Sequence, residues 1–170
     1  MTLTRWLARW RVTLGFIFGA LALGLSRPSR SSLVAGIPVA LAGEALRVWA
    51  AGHLEKSREV TTSGPYRWTR HPLYVGSTLL GIGLAIASNN LLVAAIVVIY
   101  LVLTLGAAAR SEERHLEAKF GDAYDVYRRG AAVLAPRRFS WERARRNHED
   151  GTIVGVLAVA AFLVFRAVVG

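Results

Sequence analysis

Leu91-Leu92-Val93-Ala94-Ala95-Ile96-Val97-Val98-Ile99-Tyr100-Leu101-Val102-Leu103-Thr104-Leu105-Gly106-Ala107-Ala108-Ala109 decides the fold: only Tyr100 and Thr104 carry a polar side-chain atom. About 20 predominantly apolar residues in an α-helix cross the hydrocarbon core of a bilayer, so this stretch predicts a transmembrane helix. Just before it, Asn89-Asn90 predicts a tight turn, and Leu73–Ser88 behind Pro72 predicts a second apolar helix packed as a hairpin. Proline is tolerated at a helix start because the N–H it lacks has no partner there. Further out lie apolar runs at about Trp6–Leu25, Leu33–His53 and Ile153–Val169. The expectation is an all-α integral membrane bundle of about five transmembrane helices.

Composition agrees. The chain has 170 residues, is 54% hydrophobic and has a mean hydropathy of +0.38, which excludes an ordinary soluble domain. Its length allows one compact unit, so residues 1–170 are read as a single membrane-embedded domain. With no Cys, disulfide frameworks, thiolate metal sites and cysteine nucleophiles are excluded. The basic start and apolar run of Met1–Leu25 have the layout of a signal peptide. Ser26-Arg27-Pro28-Ser29-Arg30 offers no small-x-small cleavage site, so a retained first helix is expected, with Trp6, Trp10, Arg9 and Arg11 at the interface.

A net charge of +10 raises nucleic acid as a partner, but the basic residues lie between the apolar runs, as juxtamembrane charge does. No nucleic-acid role is expected; membrane lipids are the expected surroundings. Lys and Arg number three before Val12, four from Lys56 to Arg70 and ten from Arg110 to Arg146. Between the first two runs there are two, and in the Asn89-Asn90 turn none. Seventeen against two predicts a cytoplasmic N-terminus and an external C-terminus.

Two polar clusters then fall on the cytoplasmic face. The first is Gly64-Pro65-Tyr66-Arg67-Trp68-Thr69-Arg70-His71-Pro72-Leu73-Tyr74-Val75-Gly76, and the second is Arg110-Ser111-Glu112-Glu113. Polar groups at membrane depth must be compensated, so the pair predicts one binding site split between two helices. Tyr66, His71 and Tyr74 combine aromatic faces with hydrogen-bonding atoms, which suits a nucleoside. Taken singly, Arg70 and the aromatics also fit an interfacial belt on lipid phosphates. Glu112 and Glu113 point in different directions on a helix. One is free for a cation or ribose hydroxyls, while the other pairs with Arg110 or Arg129.

Other features are structural. Leu116, Phe120, Ala123, Tyr124 and Tyr127 recur at three- and four-residue spacing within Glu112–Arg129, predicting a cytoplasmic amphipathic helix with a bend at Gly121. Pro136–Asp150 is expected as a basic connector along the membrane surface. Glu44 and Arg47 share a helical face and are expected to pair inside the bundle. Gly81-Ile82-Gly83 predicts close helix packing. Four scattered His residues make a metal site unexpected, and Rossmann and Walker loops are absent.

Together, Gly64-Pro65-Tyr66, Arg70-His71-Pro72-x-Tyr74-x-Gly76, Glu112-Glu113 and Phe120-Gly121-x-x-Tyr124-x-x-Tyr127 resemble the isoprenylcysteine carboxyl methyltransferase family and, in the same half, the related integral membrane phospholipid methyltransferases. The resemblance covers about residues 54–130. It implies S-adenosylmethionine as methyl donor, held at the cytoplasmic helix ends. It also implies cofactor contacts at Tyr66, His71, Pro72, Leu73 and Tyr74, with Val60 and Thr61 on an approach strand lining the pocket. Glu112 would be the carboxylate that holds the cofactor, and Glu113 beside it is counted among the cofactor-binding residues. The eukaryotic family's cofactor-contacting His is replaced here by Arg58, and its substrate-facing Arg aligns near Ala108, two residues before Arg110. Arg110 is therefore taken as the catalytic-site cation that orients an anionic acceptor. The acceptor implied is lipophilic or prenylated; an amino-phospholipid or small lipophile is the alternative, and a non-catalytic membrane scaffold a further one.

Overall fold

The structure is a computed structural model that describes Gly15 and residues 17–169. The expected anchors Trp6, Arg9, Trp10 and Arg11 lie outside the described residues. Helix α1 covers residues 17–25, and α2 runs Arg30–Ala51, α3 Pro72–Ser88 and α4 Leu91–Phe120. Short helices α5 (Asp122–Arg128) and α6 (Trp141–Arg146) precede α7 (Glu149–Val169), and a 3-10 turn spans Gly64–Arg67. No strand occurs among the described residues.

Helices α2, α4 and α7 are long and apolar enough to cross a membrane, whereas α3, of 17 residues, is shorter. The protein is thus an all-helical integral membrane bundle. The hairpin expected at Asn89-Asn90 is present. Asn89 closes α3 in the left-handed region at φ 50°, and the Asn90 side chain caps α4 by accepting from Leu92 N and Val93 N. Asparagine suits both places, since it tolerates positive φ and its amide oxygen satisfies the first free N–H groups.

Helices α2 and α3 pack backbone to backbone. A Cβ built on Gly36 or Gly43 of α2 would stand 2.4 Å from the Ala87 or Leu80 nitrogen of α3. One on Gly83 would stand 2.2 Å from the Ala40 nitrogen. The pattern is that of membrane helices, which associate through small residues because lipid supplies no hydrophobic drive. The close packing expected of Gly81-x-Gly83 divides between two neighbours: Gly83 meets α2, while Gly81 meets Leu101 and Val97 of α4. Leu91, Ile99 and Val102 of α4 are exposed.

Two expectations are corrected. The amphipathic segment is not a separate helix from Glu112 on: α4 continues unbroken to Phe120, because no breaker occurs before Gly121, where φ turns to +47°. Only α5 lies beyond that bend. Nor is Pro136–Asp150 a plain connector. Ser140 caps α6 by accepting from Arg143 N, and Glu149 already opens α7. This segment folds onto the end of α2: Arg143 Nε donates to the Gly52 carbonyl at 2.8 Å, and Asn147 Nδ2 donates to the Ala51 and Leu54 carbonyls at 2.9 and 3.1 Å. At the other end, Arg166 donates to the Leu23 and Gly24 carbonyls, both at 2.9 Å, satisfying the last turn of α1.

Candidate functional site

The loop between α2 and α3 is held from below by His53, whose Nδ1 lies 3.0 Å from the Ser63 hydroxyl. Its ring fills the space over Gly64, which has φ +57° and where a Cβ would come within 2.5 Å of His53 Cδ2. Only glycine serves there. Burial, with Arg143, Arg137 and Arg67 around it, keeps the His53 pKa below the ordinary histidine range. The loop is thereby fixed, and it delivers the 3-10 turn and then His71 to the start of α3.

His71 precedes a proline and lies outside the helical region (φ −128°, ψ 55°), while Pro72 opens the helix. Its side chain makes no capping bond and reaches across to α4. There His71 Nε2 lies 3.1 Å from Glu113 Oε1, and Nδ1 lies 4.0 Å from Glu112 Oε2. Three residues on, and so on the same face of α3, the Tyr74 hydroxyl donates to Glu112 Oε2 at 2.7 Å. The His71 and Tyr74 rings stack with centroids 5.4 Å apart at 22°. The ends of α3 and α4 thus form one cluster, with an aromatic wall on one side and two carboxylates on the other.

Glu113 has a second partner: Arg70 Nη1 stands 3.1 Å from its Oε1. The expected pairing with Arg110 or Arg129 is not the one found, because Arg70 leads directly into His71 and already faces α4. Arg110 is exposed and makes no ion pair among the described residues; the structure does not bring it into the cluster. Half-exposed carboxylates of this kind attract a cation only modestly through water, but two of them against one guanidinium leave the mouth of the cluster negative.

Tyr66 is buried, and its carbonyl accepts from the Tyr127 hydroxyl at 2.7 Å. Burial, and then the nearby Glu112, Tyr127, Tyr74 and Glu149, push its phenol far above the ordinary range. Tyr127 is pushed up to about 12, chiefly by burial. Both phenols therefore remain hydrogen-bond donors. Tyr66 and Arg70 also line an open cleft of about 360 Å³ with Arg67, Trp68, Tyr127 and Arg128. Pro72 is buried and Leu73 half-buried at the foot of the cluster. The approach strand expected at Val60 and Thr61 is a loop. Thr61 is buried with its hydroxyl accepting from Glu55 N at 3.3 Å, and Thr62 ties the same loop to Val133 and Ala135. Sequence reasoning placed Arg70 in the first polar cluster, with lipid phosphate as its alternative partner, and passed over Tyr127 as a site residue. Adjacency to His71 was the available signal for the former; the latter is read from the fold alone.

The profile of the phospholipid methyltransferase family matches residues 10–123. The chain belongs to that family. It is similar to the cobalt-zinc-cadmium resistance protein CzcN of Cupriavidus metallidurans, 33% identical over 135 residues that make up 74% of this chain and 61% of that protein. It is also similar to the nickel-cobalt-cadmium resistance protein NccN of Alcaligenes xylosoxydans xylosoxydans, 32% identical over 138 residues, 75% of this chain and 63% of the relative. The chain therefore spans under two thirds of the length of these curated relatives. No solved structure gives a significant match. Among the described residues no group of His, Asp and Glu is arranged to hold a metal ion.

Proposed function

We propose that this protein transfers a methyl group from S-adenosylmethionine to a lipophilic acceptor, at the cytoplasmic ends of α3 and α4. The observation that carries the reading is the meeting of His71 and Tyr74 with Glu112 and Glu113, within a chain of the phospholipid methyltransferase family. The donor supplies an electrophilic methyl on a sulfonium, so the protein's part is positioning and exclusion of water more than nucleophilic attack. Glu112, oriented by the Tyr74 hydroxyl, binds the amino group or ribose hydroxyls of the donor. The stacked His71 and Tyr74 rings and the buried Tyr66 form its aromatic wall, with Pro72 and Leu73 beneath and Val60 and Thr61 in the flanking loop. Glu113, shared by His71 and Arg70, fixes the His71 ring. Arg110 is the cation left for an anionic acceptor headgroup, and the seventeen-to-two distribution of basic residues supports the cytoplasmic orientation.

The exposed apolar face of α4 beside this site favours entry of the acceptor from the bilayer. A prenylated carboxylate and an amino-phospholipid both meet that description, and the family match favours the phospholipid. The trio of His71, Tyr74 and Glu112 weighs against a scaffold without activity, which has no need of it. In a methyl-transfer assay with labelled donor and acceptors of graded tail length, turnover is expected to rise steeply with tail length, since each buried CH₂ contributes roughly 0.8 kcal/mol of partitioning. Arg110→Ala is expected to lower turnover while leaving donor affinity almost unchanged. Equal efficiency for water-soluble and long-tailed acceptors would exclude entry from the bilayer.

A further inference from the structure

Away from this site, buried charge concentrates where α2, α3 and α7 meet. Glu44 is 6% exposed and Glu149 3%, and Arg47 lies between them. Arg47 Nη2 donates to both carboxylate oxygens of Glu149, at 2.9 and 3.1 Å. Its Nη1 donates to the Ser77 hydroxyl, which in turn donates to the Leu73 carbonyl at 2.8 Å. That leaves Nε, which is 3.5 Å from Glu44 Oε2 but forms no hydrogen bond with it. Both oxygens of Glu44 are shut off from solvent, and neither has a hydrogen-bond partner among the described residues.

The charges do not balance. From α2 the cluster receives Glu44 and Arg47, from α7 Glu149 and from α3 only the neutral Ser77; the nearby Tyr66 phenol on the 3-10 turn is also neutral. One guanidinium faces two carboxylates, and its hydrogen bonds go to Glu149 and Ser77. An ionised Glu44 would stand in the apolar interior without a single donor, a state that buried carboxylates avoid by neutralising. A cation is required, and the space sets its size: with both oxygens closed off, neither a metal ion nor an ammonium group reaches them. A proton does.

We propose that Glu44 is a buried proton-binding site, and that its neutral form leaves Arg47 wholly to Glu149 and Ser77. Arg47 then joins the first turn of α7 to α3 one turn beyond Tyr74, so the proton on Glu44 helps hold the end of α3 on which the candidate site is built. The inference does not depend on the methyl-transfer reading, because it rests on charge and geometry alone.

Infrared spectroscopy of this chain in an ester-free detergent at neutral pH tests it. Exposed acids are ionised there, so a protonated carboxyl gives a carbonyl band apart from the carboxylate absorptions. The wild type is expected to show such a band and E44Q to lose it. E44D, which keeps the carboxyl but draws it back by one methylene, is expected to shift the band, and it serves where E44Q fails to fold. Absence of the band from the wild type, or its survival in E44Q, would overturn the proposal.

Discussion

Arg47→Ala is expected to cost about 3–5 kcal/mol of stability, the usual consequence of removing one partner from a buried ion pair. The loss goes beyond the missing bonds. Glu149 would keep its charge with no guanidinium to receive it, Ser77 would lose its donor, and α7 would lose its one ionic tie to α2 and α3 among the described residues. Arg47→Met, of similar length, leaves the same carboxylate stranded and should fare little better. Pairing Arg47→Met with E149Q removes the stranded charge, so the double variant is expected to recover much of the loss. Thermal unfolding in detergent measures all three. Additive losses in the double variant would show that Arg47 and Glu149 do not act together.

Gly83→Ala is expected to destabilise the bundle by about 1–3 kcal/mol, the range for forcing extra atoms into a packed interface. The new Cβ would lie 2.2 Å from the Ala40 nitrogen, 2.7 Å from its Cα and 2.7 Å from the Gly36 carbonyl. These are backbone atoms and cannot rotate aside, so α2 and α3 would have to move apart, loosening the contacts at Gly36, Gly43 and Gly76 on the same seam. Gly106→Ala and Gly155→Ala are the controls, because no described residue stands within 4 Å of a Cβ at either position. On helices they should be neutral or slightly stabilising, since alanine is the better helix former. If Gly83→Ala melted with these controls, the close packing of α2 on α3 would be wrong.

The apolar helices were legible in the sequence because membrane spanning imposes a length and a composition that few other structures share. The hairpin was legible because Asn89 and Asn90 each supply a turn property at the right place. The meeting of the two polar clusters was legible too, since polar aromatics and adjacent carboxylates at the ends of apolar runs need partners at membrane depth and can supply one another. What the sequence hid depends on distant partners. Arg47 and Glu44 were visible as a local pair, yet the stronger partner is Glu149, 102 positions away, for which no periodicity speaks. Arg70 looked like one more interfacial cation until the start of α3 placed it against Glu113. The folding of α6 onto the end of α2 rests on backbone carbonyls at Ala51, Gly52 and Leu54, and side-chain chemistry does not announce these.

In the proposed function Glu112, positioned by Tyr74, holds the methyl donor. Calorimetric titration of the purified protein with S-adenosylmethionine tests it most directly, comparing wild type with Glu112→Ala in the same lipid environment. A hydrogen bond to a charged group contributes about 1.5–3 kcal/mol, so the variant is expected to bind roughly tenfold more weakly or worse, at 1.4 kcal/mol per factor of ten. Unchanged affinity in a variant that melts like the wild type would contradict the assignment.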